Sequence, residues 1–100
     1  MNLARIDELL DYILEVTAVS REEFFQKTRV QHIIEARQLF FYLLRREKVS
    51  MPYIKGYMER NGLVTNHSSV LNGYYKFRQM VEEDVNVRKL VNKVSNVKGL

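Results

Sequence analysis

The chain has no cysteine and no tryptophan, and only one proline and four glycines among its 100 residues. Without cysteine there can be no disulfide, no zinc knuckle and no thiol catalysis. His32 and His67 are the two imidazoles, and His67 has no Asp or Glu within five residues, so no metal and no cofactor are expected. So few glycines and prolines argue against a turn-rich β fold. No apolar run approaches the roughly 18 residues of a membrane span. Acids in the opening run Met1-Asn2-Leu3-Ala4-Arg5-Ile6-Asp7-Glu8 stand where a signal peptide would be apolar. The pattern G-x-x-x-x-G-K-[ST] is also missing, so ATP is not expected as a ligand. There is no internal repeat and no low-complexity segment. What remains is 46% hydrophobic and 28% charged. That composition suits a small, soluble, cytoplasmic, all-α domain with one core. The domain is expected over 1–94, with a frayed tail over 95–100.

The charge is unevenly placed. Residues 1–26 carry two bases and six acids, whereas 27–48 carry six bases and two acids. Residues 49–80 add four bases and one acid, 81–84 are three acids and one apolar residue, and 85–100 hold four bases and no acid. An excess of cations through 27–80 is what a phosphate-facing surface needs, although a solvated surface can show the same bias.

Hydrophobic spacing predicts five to six helices. Leu3, Ile6, Leu10, Ile13 and Leu14 recur at three- and four-residue steps, which gives an amphipathic helix over about 2–18 with an acidic outer side. Ser20-Arg21-Glu22-Glu23 is a capping box opening a short helix over about 21–27 that buries Phe24. Lys27 to His32 has no period and reads as a basic connection. Ile33 to Lys48 is apolar nearly all round, as a central helix is. Ser50 caps and Pro52 opens a helix over about 51–60, which Asn61-Gly62 ends. Thr65 or Asn66 caps a long helix over about 67–83 with Val70, Leu71, Tyr74, Phe77 and Val81 inward. A last helix begins near Asp84 and repeats Val87, Leu90, Val91 and Val94.

Helix 51–60, a bend, and helix 67–83 have the layout of a helix-turn-helix. The second helix opens on Asn66, His67, Ser68 and Ser69, all polar and short. Such an opening lets backbone N–H groups approach phosphate or a base edge. A polar cap on an ordinary helix pair would read the same way.

Three segments together resemble a known family. They are Glu35-Ala36-Arg37-Gln38-Leu39-Phe40-Phe41-Tyr42-Leu43-Leu44, Ser50-Met51-Pro52-Tyr53-Ile54 and Asn66-His67-Ser68-Ser69-Val70-Leu71. In order and approximate spacing they are similar to the C-terminal DNA-binding domain of the bacterial replication initiator DnaA, over roughly residues 5–83. The resemblance implies a Trp-repressor-like helical bundle that binds double-stranded DNA. It implies Asn66, His67 and Ser68 near base edges in the major groove and Ser69 near phosphate. Met51 and Pro52 would lie by base methyl groups or backbone, and Arg29 would enter the minor groove. Arg37 with Gln38 would touch the DNA backbone at the head of the central helix, and Arg45 or Arg46 near its end. A role in replication initiation or its regulation would follow. The initiator's ATPase portion has no counterpart here, so the chain reads as a stand-alone relative or a fragment. Met1 and a helix of its own at the N-terminus favour the former.

Three departures matter. The family's aspartate is Asn66 here, and an amide suits adenine where a carboxylate suits the cytosine amino group. The segment from Arg60 to Thr65 is several residues longer than the family's turn, so it alters the helix crossing or reaches DNA itself. The connection is thin in cations, which implies weaker affinity and a shallower salt dependence.

Other classes remain. A protein-interaction module that kept the fold and lost DNA binding would suit the acidic first helix and the tyrosines Tyr42, Tyr53, Tyr57, Tyr74 and Tyr75. A strand-cleaving set of Arg37, His67, Tyr75 and Arg78 has no supporting spacing, so no enzyme is expected. Monomer and dimer remain open, because the helix over 85–94 suits either covering the core or pairing with a second chain. On the DNA reading, Asn66→Asp is expected to move the preferred base at one position from adenine towards cytosine. Site selection with both proteins checks this, and an unchanged base refutes it.

Overall fold

The computed structural model describes residues 1–98. Six α-helices and no strand occur among the described residues: α1 (Leu3–Thr17), α2 (Arg21–Phe24), α3 (Gln31–Arg46), α4 (Met51–Arg60), α5 (His67–Glu83) and α6 (Val85–Lys98). The all-α class expected from the sequence is the observed one. No helix among the described residues is long and apolar enough to cross a membrane.

The helix starts follow local chemistry. Asn2, Ser20, Ser50 and Asn66 each place a side-chain oxygen on an early backbone N–H of α1, α2, α4 and α5. At Ser20 the capping box is complete, since Glu23 also accepts from the Ser20 N–H at 3.0 Å. The backbone N–H and hydroxyl of Ser20 hold the Glu23 carboxyl below its ordinary range. Asp84 ends α5 in an extended conformation and accepts from the Asn86 N–H at 2.8 Å, so one residue stops one helix and starts the next.

Three of the helix ends share one device. Val19, Val49 and Leu63 return their N–H groups to the carbonyls of Leu14, Leu44 and Met58. The residue before each has a positive φ: Ala18 at 56°, Lys48 at 63° and Gly62 at 103°. This is the Schellman closure, which satisfies carbonyls that have no partner inside the helix. Only at Gly62 is the residue free of the steric cost of a Cβ in that region.

Tertiary structure alters several expected boundaries. The central helix begins at Gln31 and ends at Arg46, two residues earlier at each end than expected, because Lys48 has already turned into the left-handed region. α2 stops at Phe24 instead of continuing to 27, because its carbonyls are taken by Arg37. The expected fraying from Ser95 is corrected as well. α6 runs on to Lys98, with Val94 fully buried and Ser95 only 7% exposed. Residues 99 and 100 of that expected tail lie outside the described residues.

The core joins all six helices through Ile6, Leu10 and Ile13, Phe24 and Phe25, Leu39, Phe40 and Leu43, Ile54 and Met58, Val70 and Phe77, and Val91 and Val94. α3 lies at its centre, as a helix apolar nearly all round must. The most extensive helix pair is α3 with α5. Gly73 makes their close approach possible: a Cβ there would meet Phe41 Cδ2 at 3.1 Å and Gln38 Cγ at 3.4 Å. Further along, Tyr42 stacks on Tyr74 with centroids 5.8 Å apart and lies 5.4 Å from the Phe77 ring. Across the molecule the Tyr57 hydroxyl donates to Asp7 Oδ1 at 2.6 Å, tying α4 to α1. Burial, then Asp7, pushes that phenol well above its ordinary pKa.

The two helical glycines therefore separate two effects. Gly→Ala gains about 1 kcal/mol of helix propensity in either helix. At Gly56 the nearest obstacle is the flexible end of Arg60, so Gly56→Ala is expected to raise stability by most of that amount. At Gly73 the obstacles are buried side chains, and overpacking costs about 1–3 kcal/mol, so Gly73→Ala is expected to be a net loss. Urea denaturation of the two variants checks the opposite signs.

Candidate nucleic-acid interface

The opening of α5 is solvent-facing in every residue expected to act there. Asn66, His67, Ser68 and Ser69 are all exposed, and the first buried position is Val70. Asn66 Oδ1 accepts from the Ser69 N–H at 2.7 Å, and its carbonyl takes the Val70 N–H at 3.2 Å. The N–H groups of His67 and Ser68 have no partner within the helix, because the chain before them is not helical. This end of α5 thus presents two backbone donors, the partial positive charge of the helix dipole, and short polar side chains. The cap commits one lone pair of Asn66 Oδ1, so the amide offers its Nδ2 donor and the remaining lone pair.

The segment between α2 and α3 lies beside this end of α5. Lys27, Thr28, Val64, Thr65, Asn66 and Ser69 line one cleft of about 340 Å³, together with Phe41, Leu63 and Arg37. The basic connection and the first turn of α5 therefore line one feature together. Thr28 shapes the connection, its hydroxyl accepting from the Val30 N–H at 3.1 Å. The Thr65 hydroxyl is buried without a partner. A second, wider depression of about 720 Å³ lies on the other side of Lys27, between α2 and the turn at Asn61 and Gly62.

Not every expected residue faces outward. Arg37, expected on phosphate, works inside the fold: Nε donates to the Phe24 carbonyl at 2.6 Å, and Nη2 to the carbonyls of Glu23 (3.3 Å) and Gln26. Burial lowers its pKa. Its planar fork closes the end of α2, which has no room for another helical turn. Gln38, expected beside it on the DNA backbone, is 8% exposed and packed where α5 crosses α3, with Oε1 unpartnered. Arg45 donates to the Val49 carbonyl at 2.7 Å and so holds the turn into α4. Arg46 donates to Ser95 Oγ at 2.5 Å with its guanidinium over the Tyr42 ring, which joins α3 to α6. Met51 is half-buried against the core, and Pro52 is exposed in the first turn of α4. Neither lines the cleft.

The cations of the connection behave differently. Lys27 and Arg29 are exposed, and among the described residues no hydrogen bond, ion pair or ring engages either. Lys76 on α5 is likewise exposed and unengaged. Arg21, by contrast, pairs with Asp11 at 3.4 Å and with Asn61 at 3.1 Å.

Nothing in the sequence singled out Thr28 or Val64 beyond the length of the turn after α4, and Thr65 stood there only as an alternative to Asn66 for the N-cap, which Asn66 takes. The tyrosines do not form one surface. Tyr57 is 1% exposed in the core, and Tyr42 and Tyr74 pack between α3 and α5; Tyr53 and Tyr75 are exposed. Among the described residues no three potential ligands gather as a metal site. The chain matches no family model, no curated protein and no solved structure.

Arg37 and Arg29 are thus expected to differ in kind. Removing a half-buried, triply bonded guanidinium leaves carbonyls unpartnered, so Arg37→Met is expected to lose about 2–3 kcal/mol. Arg37→Lys should recover little of it, lacking the planar fork. Arg29→Ala is expected to stay within about 0.5 kcal/mol of the parent. Thermal and urea denaturation of the three variants checks this.

Proposed function

We propose that the chain is a sequence-specific double-stranded DNA-binding module, with α5 entering the major groove by its first turn and Arg29 reaching the adjacent minor groove. One observation carries the reading: the unengaged Lys27 lines one cleft with the exposed, donor-rich head of α5, and the exposed, unengaged Arg29 follows two residues on. Phosphate binding needs that combination of mobile positive charge and fixed N–H donors. Base reading needs side chains that project from a helix end able to approach closely, and His67 and Ser68 do so. The resemblance of Ser50-Met51-Pro52 and Asn66-His67-Ser68-Ser69 to the initiator domain supports the same placement. Replication initiation or its regulation is the role that goes with it.

In this reading the DNA-facing set is Arg29, Lys27, Asn66, His67, Ser68 and Ser69, with Met51 and Pro52 at its edge. Arg37, Gln38, Arg45 and Arg46 hold the scaffold. The connection itself brings only Lys27 and Arg29 to this face, so affinity rests more on the head of α5 than on charge.

Fluorescence anisotropy against a duplex carrying a DnaA-type box and against a shuffled duplex, at several salt concentrations, tests the proposal. Tighter binding to the box is expected, with a linear log–log salt dependence. Arg29→Ala should reduce that slope by about 1, and His67→Ala should cost about 1–3 kcal/mol at one base pair. Affinity unmoved by both variants places the site elsewhere. Absence of binding to any duplex at low salt refutes the proposal and leaves a protein-interaction module.

A further inference from the structure

The turn from Asn61 to Thr65 has a feature that its packing does not need. Gly62 reverses the chain at a φ of 103°. Leu63 then returns its N–H to the Met58 carbonyl at 3.0 Å and packs its side chain on the core. The next residue turns outward. Val64 is 80% exposed, against 55% for Val85 and 52% for Tyr75, the next most exposed of the large hydrophobic residues described. It lines the cleft together with Lys27 and Asn66.

A single exposed apolar side chain is ordinary on a protein surface. The position of Val64 gives it a use. It stands two residues before the N-cap of α5, on the rim of the face proposed to meet the duplex. In the major groove one base-edge group is apolar, the C5 methyl of thymine. A β-branched side chain there has no hydrogen bond to offer and can discriminate only by covering that methyl.

We propose that Val64 is a thymine-methyl contact, adding a preference for thymine at a position beside those read by Asn66 and His67. The inference rests on the duplex-binding reading and deepens it by assigning a specificity role to the turn. The physical effect is removal of two small apolar surfaces from water. One methyl group corresponds to about fourfold in affinity.

The test begins with selection of the preferred site from random duplexes with the full chain. Each thymine in that site is then replaced singly by deoxyuridine, which removes the methyl and leaves the hydrogen-bonding edge intact. Anisotropy gives Kd for the parent, Val64→Ser and Val64→Thr. At one position the parent is expected to lose about fourfold with deoxyuridine. There Val64→Ser should be indifferent to the replacement, and Val64→Thr, which keeps a methyl, should retain part of the effect. Both variants should melt like the parent, because the side chain is exposed. Specific binding with deoxyuridine equally tolerated, equally harmful to all three proteins, or a selected site without thymine overturns the assignment while the DNA reading stands. Failure to select any duplex overturns both.

Discussion

A guanidinium withdrawn from water must find acceptors for its N–H groups, and Arg37 finds them at the end of α2. This one side chain stops α2 after a single turn and fixes where the chain leaves it. It thereby sets the course of the segment that carries Lys27, Thr28 and Arg29. It also lines the cleft. The charge that a sequence pattern assigned to phosphate is spent on architecture, and the cations beyond it are left available. A charge-assisted bond to a carbonyl is among the stronger polar contacts in a small domain, which is why the geometry of the connection depends on it.

The part of the cleft that α5 supplies depends on how closely α5 lies on α3. Gly73 removes the side chain that would hold the helices apart, and Phe41 and Gln38 fill the space. Tyr42, Tyr74 and Phe77 continue the contact towards the other end of α5. With α5 so anchored along its inner face, its first turn is held as the end of a rigid rod, with only one polar residue of that turn used for capping. Precision at the head of the helix thus comes from apolar packing far from the head. The same logic applies to Arg45 and Arg46, which brace the turn into α4 and the approach of α6.

Much of the fold was legible. The spacing of Leu3, Ile6, Leu10 and Ile13, the capping box at Ser20, the serine and proline opening α4, and the polar opening of α5 each rest on interactions within a few residues. The bounds of α4 and α5 fell where those local signals put them. Two of the boundaries that moved were decided from a distance. α2 was shortened by a residue thirteen positions away from its end, and α6 was extended because Ser95 meets Arg46 of α3. Of the candidate site, the exposed run from Asn66 to Ser69 was readable because a helix N-terminus announces itself in sequence. The fate of each arginine was not, since one residue type serves equally as phosphate contact and as internal clamp.

By itself the sequence determined what is local: an all-helical chain, its caps, its apolar stripes, its unequal charge, and the polar head of one helix. Those follow from hydrogen bonds and side-chain spacing that close within a turn or two. Tertiary structure alone decided which cations stay free and which are consumed, that the basic connection lies against the head of α5, and that Val64 projects from the turn while Leu63 does not. These depend on burial, and burial is a property of neighbours brought together by folding. An arginine or a valine has no way to encode in its own position whether a carbonyl, a ring or water will stand beside it.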